Sequence, residues 1–169
     1  MTDQIRKARR RDLAAIARLH ALSWRDSYRG LLSDDYLENE VDQELRRHWT
    51  EARIEPNDLV LVAEGQNGGI LGFIAVWCRP EPFIDNLHVT PDGRSQGVGT
   101  RLMAAAARCL LERGKSTAFL WVFEDNRRAV AFYERLGGKR TDRTIKPVFG
   151  NEVVQLKLEW TDLTELSDK

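Results

Sequence analysis

Several patterns that would direct this chain of 169 residues to a particular chemistry are missing from it. Cys78 and Cys109 are its only cysteines. They lie far apart with no Cys-x-x-Cys pair, and the three histidines are scattered, so neither a disulfide framework nor a metal-ligand set is written in the spacing. Two structural thiols suit a reducing, cytoplasmic setting. Lys plus Arg number 26 and Asp plus Glu number 26, so no overall field draws the protein to nucleic acid or to a membrane surface. Any anionic ligand must be held locally. No apolar run approaches the roughly 18 residues of a membrane span, and Met1 to Arg6 lacks a charged-then-apolar leader pattern. No repeat, low-complexity block or linker divides the chain, which predicts one domain over 1–169.

What is present reads in chain order as follows. Ile5 to Ala8 forms a short strand, and Asp12 caps a helix to about Tyr28 whose apolar face carries Leu13, Ile16, Ala17, His20 and Trp24. A second helix runs from about Ser33 to Thr50, with Leu37, Val41, Leu45 and Trp49 at four-residue steps. Leu59 to Glu64 and Ile70 to Cys78 make a hairpin around the turn Gly65-Gln66-Asn67-Gly68-Gly69, and Phe83 to Val89 a third strand. After Thr90-Pro91-Asp92-Gly93 a helix extends to about Arg113. Ser116 to Phe123 is a strand, Asn126 to Leu136 a helix stopped by Gly137-Gly138, and two strands follow near Lys139 to Lys146 and Glu152 to Trp160. Thr161 to Lys169 reads as a polar, frayed tail.

The most specific feature is Arg94-Ser95-Gln96-Gly97-Val98-Gly99, between a strand and a helix. The first amides of a helix have no partner inside it, and the helix dipole favours an anion there. Three or four such amides on charged oxygens, at roughly 1.5 to 3 kcal/mol each, can hold a diphosphate without a basic surface around it. Arg94 and Arg101 add charge. Spacing separates the competing readings. A P-loop needs Gly-Lys-Ser/Thr, which is absent, and the dinucleotide fingerprint needs a third glycine where Leu102 stands. Gly93-x-Ser95-x-Gly97 matches a hydrolase nucleophile elbow, but His20, His48 and His88 all precede Ser95, the wrong order for that triad. Ser95 is therefore read as a turn residue.

Together with a second segment, Asn126-x-x-Ala129-x-x-Phe132-Tyr133-Glu134-x-x-Gly137, this turn resembles the GNAT-type N-acetyltransferase superfamily, whose Q/R-x-x-G-x-G/A motif is met by Arg94, Gly97 and Gly99. The resemblance extends from about Ile5 to Trp160. Two departures stand out: Ser95 occupies a place where glycine is common, and Gly138 one where an aromatic often follows. The resemblance implies a mixed α/β fold, with a largely antiparallel twisted sheet of six to seven strands flanked by about four helices. It further implies acetyl-CoA as co-substrate, no metal, and direct transfer to an amine in a ternary complex. Leu87, His88 and Val89 match the strand that pairs with the pantetheine arm, Gln96, Gly97, Val98, Gly99 and Thr100 the diphosphate-binding amides, and Asn126 a contact to the arm. Tyr133 matches the acid that protonates the departing thiolate.

The acceptor side is read from chemistry alone. A lysine-like amine with a pKa near ~10.4 costs roughly 4.6 kcal/mol to deprotonate at pH 7, whereas protonating a thiolate of pKa near ~8.5 is worth about 2 kcal/mol. Deprotonation and alignment therefore dominate. Strand alternation sets Asp85 on one face with Phe83, Leu87 and Val89, which makes it the candidate base; a strand-end carboxylate reaching solvent through a bulge is the competing placement. Trp24, Tyr28 and Trp77 are candidate walls of the acceptor pocket. His20 is expected as a hydrogen-bonded core residue, and His88 as a strand residue acting through its backbone. A primary-amine acceptor, small molecule or protein, is expected, and free sheet edges allow a homodimer. A coenzyme-binding module without catalysis is the alternative from another class.

Overall fold

A computed structural model of the chain describes residues 3–169. Its centre is a 7-stranded sheet in the order β1-β2-β3-β4-β5-β7-β6. Four strands form one antiparallel half: β1 (Gln4–Lys7), β2 (Leu59–Glu64), β3 (Ile70–Cys78) and β4 (Pro82–Val89). The other half is antiparallel too, with β5 (Ala118–Phe123) beside β7 (Asn151–Trp160), and β7 beside β6 (Lys139–Val148). The halves meet where β4 and β5 run parallel, and only Phe83 and Phe119 pair across that seam. Beyond them the two strands diverge.

Two cores cover the two faces. On one, α5 (Val98–Glu112) lays Val98, Leu102, Ala106 and Leu110 against Leu61, Ile74, Leu120 and Leu158. On the other, α1 (Leu13–Tyr28) and α3 (Val41–Glu51) bury Ile16, Ala17 and Trp49 over Val60, Val62, Phe73 and Ala75. Alternation explains why β2 reads as a continuous apolar run: both of its faces are covered.

Three boundaries differ from the sequence reading. The segment Ser33 to Thr50 is two helices, α2 (Asp34–Asn39), capped by Ser33 Oγ, and α3. The Leu37 carbonyl, which an unbroken helix would offer to Val41, accepts from Arg25 Nε at 2.8 Å. Asp12 does not cap α1 by its side chain; its carboxylate turns back to accept from Arg9 N at 2.6 Å and from Arg6. The tail is not frayed. Leu163 and Leu166 are buried in the α5 core, α7 (Thr164–Ser167) follows the last strand, and Arg108 donates to the Ser167 carbonyl at 2.7 Å. Two leucines three residues apart outweigh the polar composition around them.

No helix among the described residues is long and apolar enough to cross a membrane.

Candidate active site

The divergence of β4 from β5 opens a cleft of about 970 Å³. Its floor is residues 84–89 and 120–123, one wall is α1, and the other is α4 (Pro91–Ser95), the start of α5, and α6 (Arg127–Arg135). A bulge helps to aim its residues. The register between β3 and β4 shifts between Ala75 and Val76, so Ile84 joins the α5-side core although Leu87 and Val89 pack there as well. Simple alternation would have put Ile84 opposite to them. Asp85 therefore leaves the face shared by Leu87 and Val89; it is exposed, and its Oδ2 accepts from Trp77 Nε1 at 2.8 Å and Asn86 Nδ2 at 3.0 Å. The inward placement expected from alternation is corrected by the bulge, which is the competing placement named above.

Local sequence builds the turn at the other end. Thr90 caps α4 by accepting from Gly93 N at 3.2 Å, and Pro91 occupies its first position, where a missing N–H costs nothing. Gly97 then takes φ 69°, a left-handed conformation that breaks the predicted single helix and starts α5. Not every amide of Gln96 to Thr100 is open. Gln96 N donates to Gly93 O at 3.2 Å and Gly97 N to Arg94 O at 3.4 Å, while the amides of Val98, Gly99 and Thr100 meet no acceptor among the described residues. Arg101 braces the turn by donating to Gln96 O at 2.6 Å and pairing with Asp3, so its charge is spent structurally. Arg94 Nε donates to Val89 O at 3.2 Å. Ser95 Oγ donates to Asp92 O at 2.9 Å, the behaviour of a turn residue.

On α6, Asn126 accepts Ala129 N at 3.2 Å through Oδ1, leaving its Nδ2 without a partner among the described residues, and it lines the cleft. Tyr133 also lines it. Burial pushes the Tyr133 hydroxyl up to about 12, so it remains a proton donor throughout the neutral range. The glycine after Gly137 has a packing reason: a Cβ on Gly138 would fall 2.8 Å from Trp160 Cζ2. The indole of Trp160 stands edge-on beside Tyr133, 6.2 Å between ring centroids.

The three histidines, scattered in sequence, converge. His20 stacks on His88 at 5.5 Å and meets His48 edge-on at 6.3 Å. Trp24 Nε1 donates to His20 Nε2 at 3.1 Å and Trp49 Nε1 points at His20 Nδ1 at 3.0 Å. Two donors thus face the two ring nitrogens, and an imidazolium would repel both. Burial, with His88 and His48 adding to it, drives His20 down to about 3, and burial with Arg94 nearby drives His88 down to about 4. Both are neutral imidazoles at pH 7. Among the described residues no group of three or more His, Cys, Asp or Glu is arranged to hold a metal ion.

Of the residues singled out from sequence, Leu87, His88, Val89, Arg94, Gly97, Gly99, Thr100, Asn126, Tyr133, Asp85, Trp24 and Tyr28 line this one cleft. Gln96 and Val98 flank it, and Trp77 stands behind, reaching it only through Asp85. Phe123 also lines the cleft, and Phe149 packs on its aromatic wall; neither carries a motif that would have marked it.

The family model for the acetyltransferase (GNAT) family matches residues 16–138. The chain belongs to that family. As a GNAT member it is an acetyltransferase, and the mixed sheet with its central divergence is the GNAT fold. YuaI of Bacillus subtilis, an uncharacterized N-acetyltransferase, is 28% identical over 96% of this chain and 95% of its own length. An uncharacterized N-acetyltransferase of Archaeoglobus fulgidus is 33% identical over 77% of this chain and 88% of its own. Among solved structures, the PaiA N-acetyltransferase of Thermoplasma acidophilum in complex with coenzyme A superposes with a TM-score of 0.70 at 20% identity, covering 95% of this chain and 100% of that one.

Proposed function

We propose that this GNAT acetyltransferase binds acetyl-CoA in the cleft between β4 and β5 and passes the acetyl group directly to a primary amine, with both substrates bound together. The observation that carries the reading is the trio of open amides at Val98, Gly99 and Thr100, set at one end of a cleft whose floor is unpaired strand backbone. The amides take the diphosphate, and Arg94, Arg128 and Arg135, which line the same cleft and form no ion pair among the described residues, add positive charge to it. The free edge of β4 at Leu87 to Val89 pairs with the amide-bearing arm. Donors on that edge polarise the thioester carbonyl as its oxygen gains charge.

Asn126 contacts the arm through the amino group that its cap leaves free. Tyr133 gives its proton to the departing thiolate. Asp85 receives the proton of the attacking amine, with Trp77 and Asn86 both donating to Oδ2 and leaving Oδ1 to take the proton. No acyl-enzyme is formed: the amine nitrogen bonds to the acetyl carbon, the carbon–sulfur bond breaks, and one proton leaves nitrogen while one reaches sulfur. A cytoplasmic setting and pairing of two copies through a free sheet edge belong to the same reading, the latter checked by light scattering.

Thiol release from acetyl-CoA, followed across amine classes with mass identification of the product, tests the function. Acetylated amine is expected. Coenzyme binding without any product would mark a binding module instead.

A further inference from the structure

The acceptor end of the cleft is built differently from the coenzyme end. Four rings from three parts of the fold, α1, β5 and the turn between β6 and β7, meet there: Trp24 and Tyr28 lie at 4.9 Å, Tyr28 and Phe123 at 5.7 Å, Tyr28 and Phe149 at 5.4 Å, and Trp24 and Phe149 at 6.0 Å. The planes cross at 61° to 86°, like the walls of a box. Phe149 is held at φ 49°, where a bulky residue is strained, and 51% of it is exposed. A large apolar ring kept in a costly conformation at an exposed hairpin tip calls for a functional reason.

Charge says which group suits the box. Elsewhere on this side of the sheet, aromatic faces already carry a cation of the chain itself: Arg79 over Trp77 at 5.7 Å, Lys146 over Trp121 at 4.8 Å and Lys157 over Phe119 at 4.7 Å. The rings of Trp24, Tyr28, Phe123 and Phe149 have none among the described residues. Of the two carboxylates lining the cleft, Asp85 is the base of the reading above, which leaves Asp26, on α1 between Trp24 and Tyr28, as the acid of the box. The two arginines here are already engaged, Arg25 with Asp42 and Arg29 with Asp34 and Glu38.

We propose that this box binds a cationic group of the acceptor, and that this group is not the amine that is acetylated. The reasoning rests on the acyl-transfer reading above. Ring faces and carboxylates stabilise a charged ammonium. An amine seated among them is held in its protonated form, the opposite of what a nucleophile requires. The reacting nitrogen must therefore be a second group on the same molecule, which makes the acceptor class a compact diamine or an amine bearing a separate permanent cation.

The test separates the box from the chemistry. Binding of choline and of its neutral isostere 3,3-dimethyl-1-butanol to the coenzyme A complex is measured by tryptophan fluorescence and calorimetry, and acetyl transfer to 1,4-diaminobutane, n-butylamine and 4-aminobutyrate is measured in parallel. Choline is expected to bind at least tenfold more tightly than the isostere, and the diamine to exceed both other amines at least tenfold in kcat/KM. Phe149→Gly, which relieves the strained φ and so folds, and Phe123→Leu are each expected to erase these preferences while coenzyme A affinity stays within about twofold. Equal binding of choline and its isostere, or n-butylamine matching the diamine, overturns the box even if transfer proceeds. Choline preference with no product from any amine sustains the cation site and overturns the transfer reading alone.

Discussion

A phenol pushed up to about 12 is a weaker acid than a free one but is protonated throughout the neutral range, so Tyr133 stands at the cleft wall with an O–H to donate toward the departing sulfur. Protonating a thiolate is worth about 2 kcal/mol at neutral pH, which sets a ceiling of roughly 30-fold on its contribution. Tyr133→Phe is accordingly expected to lower kcat by up to that factor with the affinity for coenzyme A almost unchanged. Unaltered single-turnover transfer would remove Tyr133 from the chemistry. The histidines make a different demand. His20 and His88 remain neutral in the fold down to about 3 and about 4, while in the unfolded chain each takes a proton near pH ~6.5. Below pH ~6.5 the unfolded state thus binds more protons, and stability declines as pH falls toward 4. Thermal melting between pH 7 and 4.5, above the range where most carboxylates titrate, should show a drop of at least several degrees. A flat profile would mean that the two rings are not neutral and enclosed.

At the scale of elements, the turn from α4 to α5 depends on one backbone angle. A Cβ on Gly97 would meet only the far end of Arg101, 3.7 Å away, so alanine there is penalised by φ 69° and not by crowding. Gly97→Ala is expected to cost roughly 1 to 2 kcal/mol and to weaken coenzyme A binding, because relaxing the angle re-aims the amides of Val98 to Thr100. Calorimetric titration with coenzyme A checks this; unchanged affinity would show that the turn does not hold the diphosphate. Most elements could be read from the sequence, because glycines, prolines and apolar spacing act locally: the strand, glycine turn and helix around Gly97, and the cap at Asn126, follow from neighbours in the chain. The bulge that turns Asp85 out depends on register between strands, which alternation cannot show. The grouping of His20, His48 and His88, and the arrival of Phe149 over Trp24, depend on how distant elements pack, so no local pattern announces them.

Across the whole molecule, the chain's last residues close the α5-side core. Leu163 and Leu166 are almost wholly buried, and α7 packs on α5. Leu166→Ala is expected to destabilise the protein by ~2 to 5 kcal/mol and to lower its melting temperature while leaving the coenzyme site's affinity intact in the fraction that is folded. An unchanged melting temperature would restore the picture of a loose tail. The sheet's central divergence has a different reach. Only Phe83 and Phe119 join β4 to β5, so an arm laid into the gap completes the sheet through its own amides, and those amides are the same before and after the acyl group has left. On that placement spent coenzyme A is expected to bind as firmly as its acylated form, and inhibition of transfer by added coenzyme A at concentrations near those of acetyl-CoA is the measurement that checks it. The rate in a cell would then track the ratio of acetyl-CoA to free coenzyme A, which makes a missing stretch of strand pairing a gauge of the acetyl supply.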